Sequence, residues 1–191
     1  MNSNTYNKLS DDVINQIKDF TYDELTEEQK SLIDELIQNE ELRERYKEYG
    51  LCKECNQPNI GGQWCQSCNS QHFQNDFNKW TSGNKEIGEF IQKFQLNATR
   101  FEEVLEWIPY EKFSDIEYLA SGGFGTVYKA RWIDGYICCW NSSQTKWTRD
   151  SYSKDVVLKS LNNSQNITTD FYKRYAICEI TFGFFARKMR F

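Results

Sequence analysis

The chain has 191 residues, 39% of them hydrophobic and 16% aromatic, with 10 glycines and 2 prolines; this suits one domain or two small ones and excludes collagen-like and wholly disordered classes. No run of 18 apolar residues occurs, so no membrane span is expected. The net charge of −5 conceals a gradient, −7 over residues 1–50, −4 over 51–120 and +6 over 121–191, which predicts units with different partners and a basic end suited to phosphate.

The first residues, Met1 to Thr5, have neither the basic start nor the apolar stretch of a secretory leader. An intracellular, most simply cytoplasmic, location is therefore expected, with the seven cysteines kept as thiols. From Leu9 to Tyr49 the pattern is helical. Thr21-x-x-Glu24 and Thr26-x-x-Gln29 both have the form of a capping box. Leu32, Ile33, Leu36 and Ile37 then recur at helical spacing, and Asn39 is placed to cap a further helix carrying Leu42, Tyr46 and Tyr49. Residues 1–50 thus read as an acidic helical region, either a small bundle or a docking surface for a protein partner.

Residues 51–72 break the pattern with Cys52-x-x-Cys55, nine intervening residues, and Cys65-x-x-Cys68. Each pair can aim two sulfurs inward from a tight turn, and Gly61-Gly62 supplies the reversal between them. Four thiolates in a tetrahedron satisfy a structural zinc ion and leave no open position for catalysis. The competing reading is two unrelated pairs or labile disulfides. His72, the single histidine, is expected at the surface rather than as a ligand. The acidic to neutral surroundings make nucleic acid an unlikely partner for the ribbon.

Residues 73–112 are expected to form a helical connector. One stripe is Ile87, Phe90, Ile91 and Phe94; a second is Phe101, Leu105 and Ile108, with Glu102, Glu103 and Glu106 facing away and Pro109 ending the helix. From Phe113 onward strands are predicted. Ile116 to Ala120 leads into Ser121-Gly122-Gly123-Phe124-Gly125, followed by Thr126 to Trp132, a hairpin signal at Asp134-Gly135, and Tyr136 to Trp140. Lys154 to Leu161 gives a later strand containing Lys159. A glycine turn between two strands differs from the strand-to-helix turn of a dinucleotide fold, and no Gly-x4-Gly-Lys-Ser/Thr occurs. Such a hairpin can lay backbone N–H groups over phosphates.

These residues resemble the N-terminal lobe of the protein kinase family. Leu119 to Val127 is similar to the family's Gly-x-Gly-x-x-Gly-x-Val loop, with Gly122 and Gly125 at its second and third glycines and Ala120 at the first. Val156-Val157-Leu158-Lys159 is similar to its Val-Ala-Ile-Lys strand. The resemblance implies that Gly122, Gly123, Phe124 and Gly125 cover the phosphates of ATP with magnesium and that Lys159 pairs with them. It also implies that Leu119, Val127 and Val157 enclose the adenine. A zinc ribbon ahead of the lobe and a Trp-rich insert between its second and third strands further resemble an expanded fungal kinase-like family.

Departures accompany the match. The position expected for the carboxylate that pairs with the lysine is occupied by Arg174, and Glu179 lies about 140° further around that helix. Neither His-Arg-Asp nor Asp-Phe-Gly occurs. The expected architecture is α+β: helices over 1–50, a zinc ribbon over 51–72, connector helices over 73–112 and a partial antiparallel kinase N-lobe over 113–191. The expected function is that of a truncated, pseudokinase-like member that binds ATP weakly at best and transfers no phosphate, its complete relatives transferring phosphate to protein hydroxyls. The alternative is a zinc-stabilised protein-interaction module or decoy.

Overall fold

A computed structural model of the chain describes residues 8–123, 125–150, 154–161 and 185–186. The molecule is mixed α and β, as the sequence pattern predicts. Helix α1 (Asp11–Ile17) starts at Ser10, whose side chain accepts from the Val13 N–H. Helix α2 (Glu27–Leu36) starts at the capping box of Thr26 and Gln29, and α3 (Glu40–Tyr49) at Asn39. The other capping-box pattern forms only a turn, with the Glu24 N–H bonded to the Thr21 carbonyl. With α2 beginning at Glu27, no room remains for a helix between them.

Leu9, Ile14, Ile17, Ile33, Ile37, Leu42 and Tyr46 make the core of this bundle. Tyr46 is 1% exposed and donates its hydroxyl to the Ile17 carbonyl at 2.8 Å. Burial pushes its phenol up to about 12 from the ordinary 10.0. The neutral phenol is thus favoured in the folded state, so its contribution is present below pH 10 and is lost as pH rises towards 12. Tyr46→Phe is expected to cost about 1 kcal/mol at pH 7 by removing this hydrogen bond, the Ile17 carbonyl keeping the Phe20 N–H as its donor. It should also flatten the alkaline fall in stability, as urea titrations between pH 8 and 11 would show.

Helix α3 ends at Gly50, at φ +65°, where a Cβ would lie 2.5 Å from the Tyr22 ring. The four-cysteine segment follows and is tied to the bundle by backbone-directed amides. Gln57 exchanges two hydrogen bonds with the Leu9 backbone, and Asn59 donates to the Tyr49 carbonyl. Helix α4 (Gln66–Asp76) begins inside this segment. It lies against α5 (Lys85–Asn97), with Gln66 and Ser70 both donating to the Leu96 carbonyl.

The connector departs from expectation after α5. Phe101–Glu103 form a single 3-10 turn, and no helix carries Leu105 and Ile108. Glu103 accepts from Thr99 and Arg100 and closes that turn. Beyond it the chain extends: Gln95 donates to the Leu105 carbonyl, and Ile108 precedes Pro109, which disfavours helical backbone. Glu106, expected to face away, instead turns inward, its side chain 10% exposed against Arg149.

Strands β1 (Phe113–Gly122), β2 (Gly125–Trp132) and β5 (Lys154–Leu161) form an antiparallel sheet in the order β1-β2-β5. A two-residue strand, β6 (Phe185–Ala186), pairs parallel to the outer side of β5. Strands β3 (Ile137–Asn141) and β4 (Lys146–Arg149) make a separate hairpin. The Asp134-Gly135 signal therefore gives a turn, with Gly135 at φ +64°, but not a β2–β3 hairpin. Arg149 donates to the Gly135 carbonyl and Asp150 to that of Tyr136, and these bonds steer β3 out of the sheet. Phe113, Ala130, Trp132, Val156 and Leu158 form the core beneath the sheet, with Ile108 and Ile116 packed on it. Phe124, the helix start expected at residues 168–174 with Arg174, Glu179, and most of the 177–191 tail lie outside the described residues.

Candidate functional site

Two arrangements bring together residues singled out in the sequence, and the four cysteines form the first. The turn after Cys52 is closed by the Asn56 N–H bonding the Cys52 carbonyl, with Asn56 at φ +53°. The Glu54 N–H points at the Cys52 sulfur at 3.4 Å. Cys65 stands at the N-cap of α4, and Cys68 lies in its first turn. Short bridges, Leu51 with Pro58 and Gly61 with Trp64, fold the two turns together.

The four sulfurs lie within 4.8 Å of one another, with Cys52 and Cys68 3.8 Å apart and Cys55 and Cys65 3.6 Å apart. Ligand bonds of about 2.3 Å in a tetrahedron require an edge of about 3.8 Å, whereas a disulfide requires about 2.05 Å. All four are free thiols, and the group can hold a metal ion such as zinc.

Electrostatics point the same way. Hydrogen bonds with Cys52 and Cys65 hold the Cys55 thiol far below its usual range. Contacts with Cys52 and Cys55 push Cys65 up, while burial and then the Cys52 charge push Cys68 up. Without a cation the cluster favours one thiolate and penalises the next, as like charges sharing a site must. A divalent ion removes that conflict by balancing the thiolates. A cleft of about 520 Å³ borders the centre between Cys52, Cys68, Asn69, Cys139 and Trp140, so a chelator has a route to it.

His72 is not part of the sulfur group, and neither is it a surface residue. Its side chain is 18% exposed, its Nε2 lies 2.7 Å from Glu54 Oε2, and its ring stacks on Trp140 at 3.7 Å and 12°. Trp147 on β4 stacks on Phe73 at 4.2 Å and lies 6.2 Å from Trp64. The Trp-rich insert therefore packs on the ribbon and α4. The sequence contained the alternation of Trp140 and Trp147 but nothing that named their partners.

The glycine turn is the second arrangement. Gly122 of β1 pairs with Gly125 of β2, and Gly125 has φ +152°, a region reserved for glycine. A Cβ on Gly122 or Gly123 would meet no atom of the described residues within 4 Å. Val127 lies opposite Ala120 on one side and opposite Lys159 on the other, while Val157 faces Lys129.

Directly opposed residues share a face. Val127, Val157 and Lys159 therefore occupy the face away from the core, since Ala130, Val156 and Leu158 are buried on the other. Val157 is 54% and Leu119 51% exposed, Leu119 at a register shift between Tyr118 and Ala120. The ion pairs Lys129–Asp155 and Arg131–Asp115 flank this apolar ledge. The register thus brings Ala120, Val127, Val157 and Lys159 together next to Gly122 and Gly125.

The pairing of inward-turned Glu106 with half-buried Arg149 went unrecognised in the sequence. Its only signal was a glutamate in an otherwise apolar run, Val104 to Ile108. No helix among the described residues is long and apolar enough to cross a membrane. Comparison with protein-family models, with curated proteins and with solved structures finds no match to this chain.

Proposed function

We propose that residues 113–161 form a nucleotide-binding sheet of the protein kinase N-lobe type, carried on a ribbon stabilised by structural zinc. The observation that supports this most directly is the register of β2 with β5. It sets Lys159 opposite Val127, two residues beyond Gly125, with Val157 on the same face. The spacing along strands of about 3.3 Å per residue keeps lysine and turn within reach of one nucleotide. Backbone N–H groups of the glycine turn would face the phosphates of ATP with magnesium, Lys159 would pair with them, and Leu119, Val127 and Val157 would cover the adenine. The 191 residues contain no His-Arg-Asp or Asp-Phe-Gly, so binding without transfer is the activity proposed for them.

Mg-ATP titration of the zinc-loaded chain, followed by tryptophan fluorescence, tests this reading. Saturable binding is expected, weakened about tenfold or more by Lys159→Ala. Equal affinity in the variant, or no binding by either protein, would sink it.

A second reading, a zinc-stabilised protein-interaction module, draws support from the acidic bundle. Gln57 and Asn59 lock that bundle to the ribbon as one unit, and residues 1–50 carry a net charge of −7. A partner for it would present a basic surface.

A further inference from the structure

The Trp-rich hairpin has no part in the nucleotide reading, yet both of its tryptophans leave the sheet and pack on the metal ribbon. We propose that β3–β4 is a metal-sensing strap: the loaded four-cysteine centre steadies α4 as the seat of the hairpin, and the docked hairpin in turn tightens the hold on the metal. The inference rests on the four-cysteine group holding zinc.

The first link is the start of α4. Helices α1, α2, α3 and α5 each have a side-chain cap at the N-terminus, whereas α4 has none and no acidic residue in its first turn. Two of the four sulfurs, those of Cys65 and Cys68, stand there instead. A metal ion bound to them pins a helix end that lacks the usual side-chain cap. With 11 residues and one large apolar side chain, Phe73, α4 depends on its neighbours, namely α5, to which Gln66 and Ser70 donate, and the sulfur group at its start.

The second link is the face that α4 presents. Cys65, Cys68 and His72 follow one another at i, i+3 and i+7, so His72 lies on the sulfur side with Phe73 beside it. These are the two residues on which Trp140 and Trp147 stack. Glu54, between the first two cysteines, holds the edge of His72. The hairpin thus rests on groups whose positions the metal sets.

Linkage makes the coupling reciprocal: if metal favours docking, docking must tighten metal by the same factor. The full chain is first assayed for zinc; a chain that takes up none overturns the metal reading and this inference with it. Hydrogen exchange is then compared between zinc-loaded and chelator-stripped protein. Stripping is expected to lower protection over residues 137–149 about tenfold or more while α1 to α3 keep theirs. In the converse arm, Trp147→Ala should lose zinc to a chromophoric chelator at least about fivefold more readily, and Trp147→Phe should hold it near wild type. Unchanged protection of 137–149 in a stripped protein would overturn the strap while leaving zinc binding intact. So would wild-type zinc retention by Trp147→Ala, or loss of protection spread equally over residues 11–49.

Discussion

Cys65→Ser is expected to abolish zinc retention and unfold the ribbon, the largest effect of any single substitution in this chain. Cys65 is 7% exposed and joins both turns: its sulfur lies 3.6 Å from that of Cys55, and it stands at the N-cap position of α4. Structural zinc supplies about 10–16 kcal/mol of apparent folding free energy in small Cys/His modules. That exceeds or equals the whole stability of an ordinary domain, about 5–15 kcal/mol. The ribbon has little to put in its place: between residues 51 and 65 only Trp64 and Ile60 join the cluster that also holds Phe73 and Ile137. A serine oxygen is a poor substitute for a soft thiolate.

The bundle of α1 to α3 has its own core and should survive, so far-UV circular dichroism would fall only in part. Elemental analysis should give one zinc per wild-type chain and much less than one for the variant. Cys139→Ser, outside the sulfur group, serves as the matched control and should retain the metal. A Cys65→Ser protein with one zinc and an unshifted melting temperature would refute the structural role assigned to the metal.

What could be read from the residues was what local chemistry decides. The Cys-x-x-Cys pairs needed only their own turns and one reversal to converge, and they do. Thr26, Asn39 and their partners three residues on announced helix starts because a cap is a contact within one turn. The errors share the opposite property. Residues 101–108 have helical periodicity, but Glu106 among them is drawn inward by Arg149, 43 positions further on. Asp134-Gly135 does make a turn, yet which strands pair is settled by the register of β2 with β5 and by tryptophans seated on α4. His72 had no signal in its own neighbourhood; its place is given by Glu54 before it and Trp140 far after it. For the glycine turn, the sequence offered the order of turn and lysine, and the register adds that Val127 and Lys159 stand side by side.

Arg149→Ala is expected to be the most costly change outside the four-cysteine group, and the sign of its pH dependence makes it informative. Arg149 donates one nitrogen to the Gly135 carbonyl at 2.7 Å and pairs through the other with Glu106, whose second oxygen accepts from the Ile137 N–H. Burial pushes the Glu106 carboxyl above its usual value, and the attraction of Arg149 only partly offsets that. Its contribution to stability is therefore fully present below the ordinary glutamate range and declines as pH rises through the raised value. Removing Arg149 deletes the chief restraint and leaves a buried carboxylate unpaired at neutral pH. The cost should be about 3 kcal/mol, the lower end of the range for breaking a buried pair, because Arg149 is one-third exposed. Adding Glu106→Gln removes the stranded charge and should recover more than half of the loss, since an amide still accepts from Ile137. Urea unfolding of the zinc-loaded proteins at pH 7.5 measures both. If Arg149→Ala lies within about 0.5 kcal/mol of wild type, or the double variant is no more stable than the single, the ion pair does not anchor the hairpin, and the tryptophan stack on α4 must hold it alone.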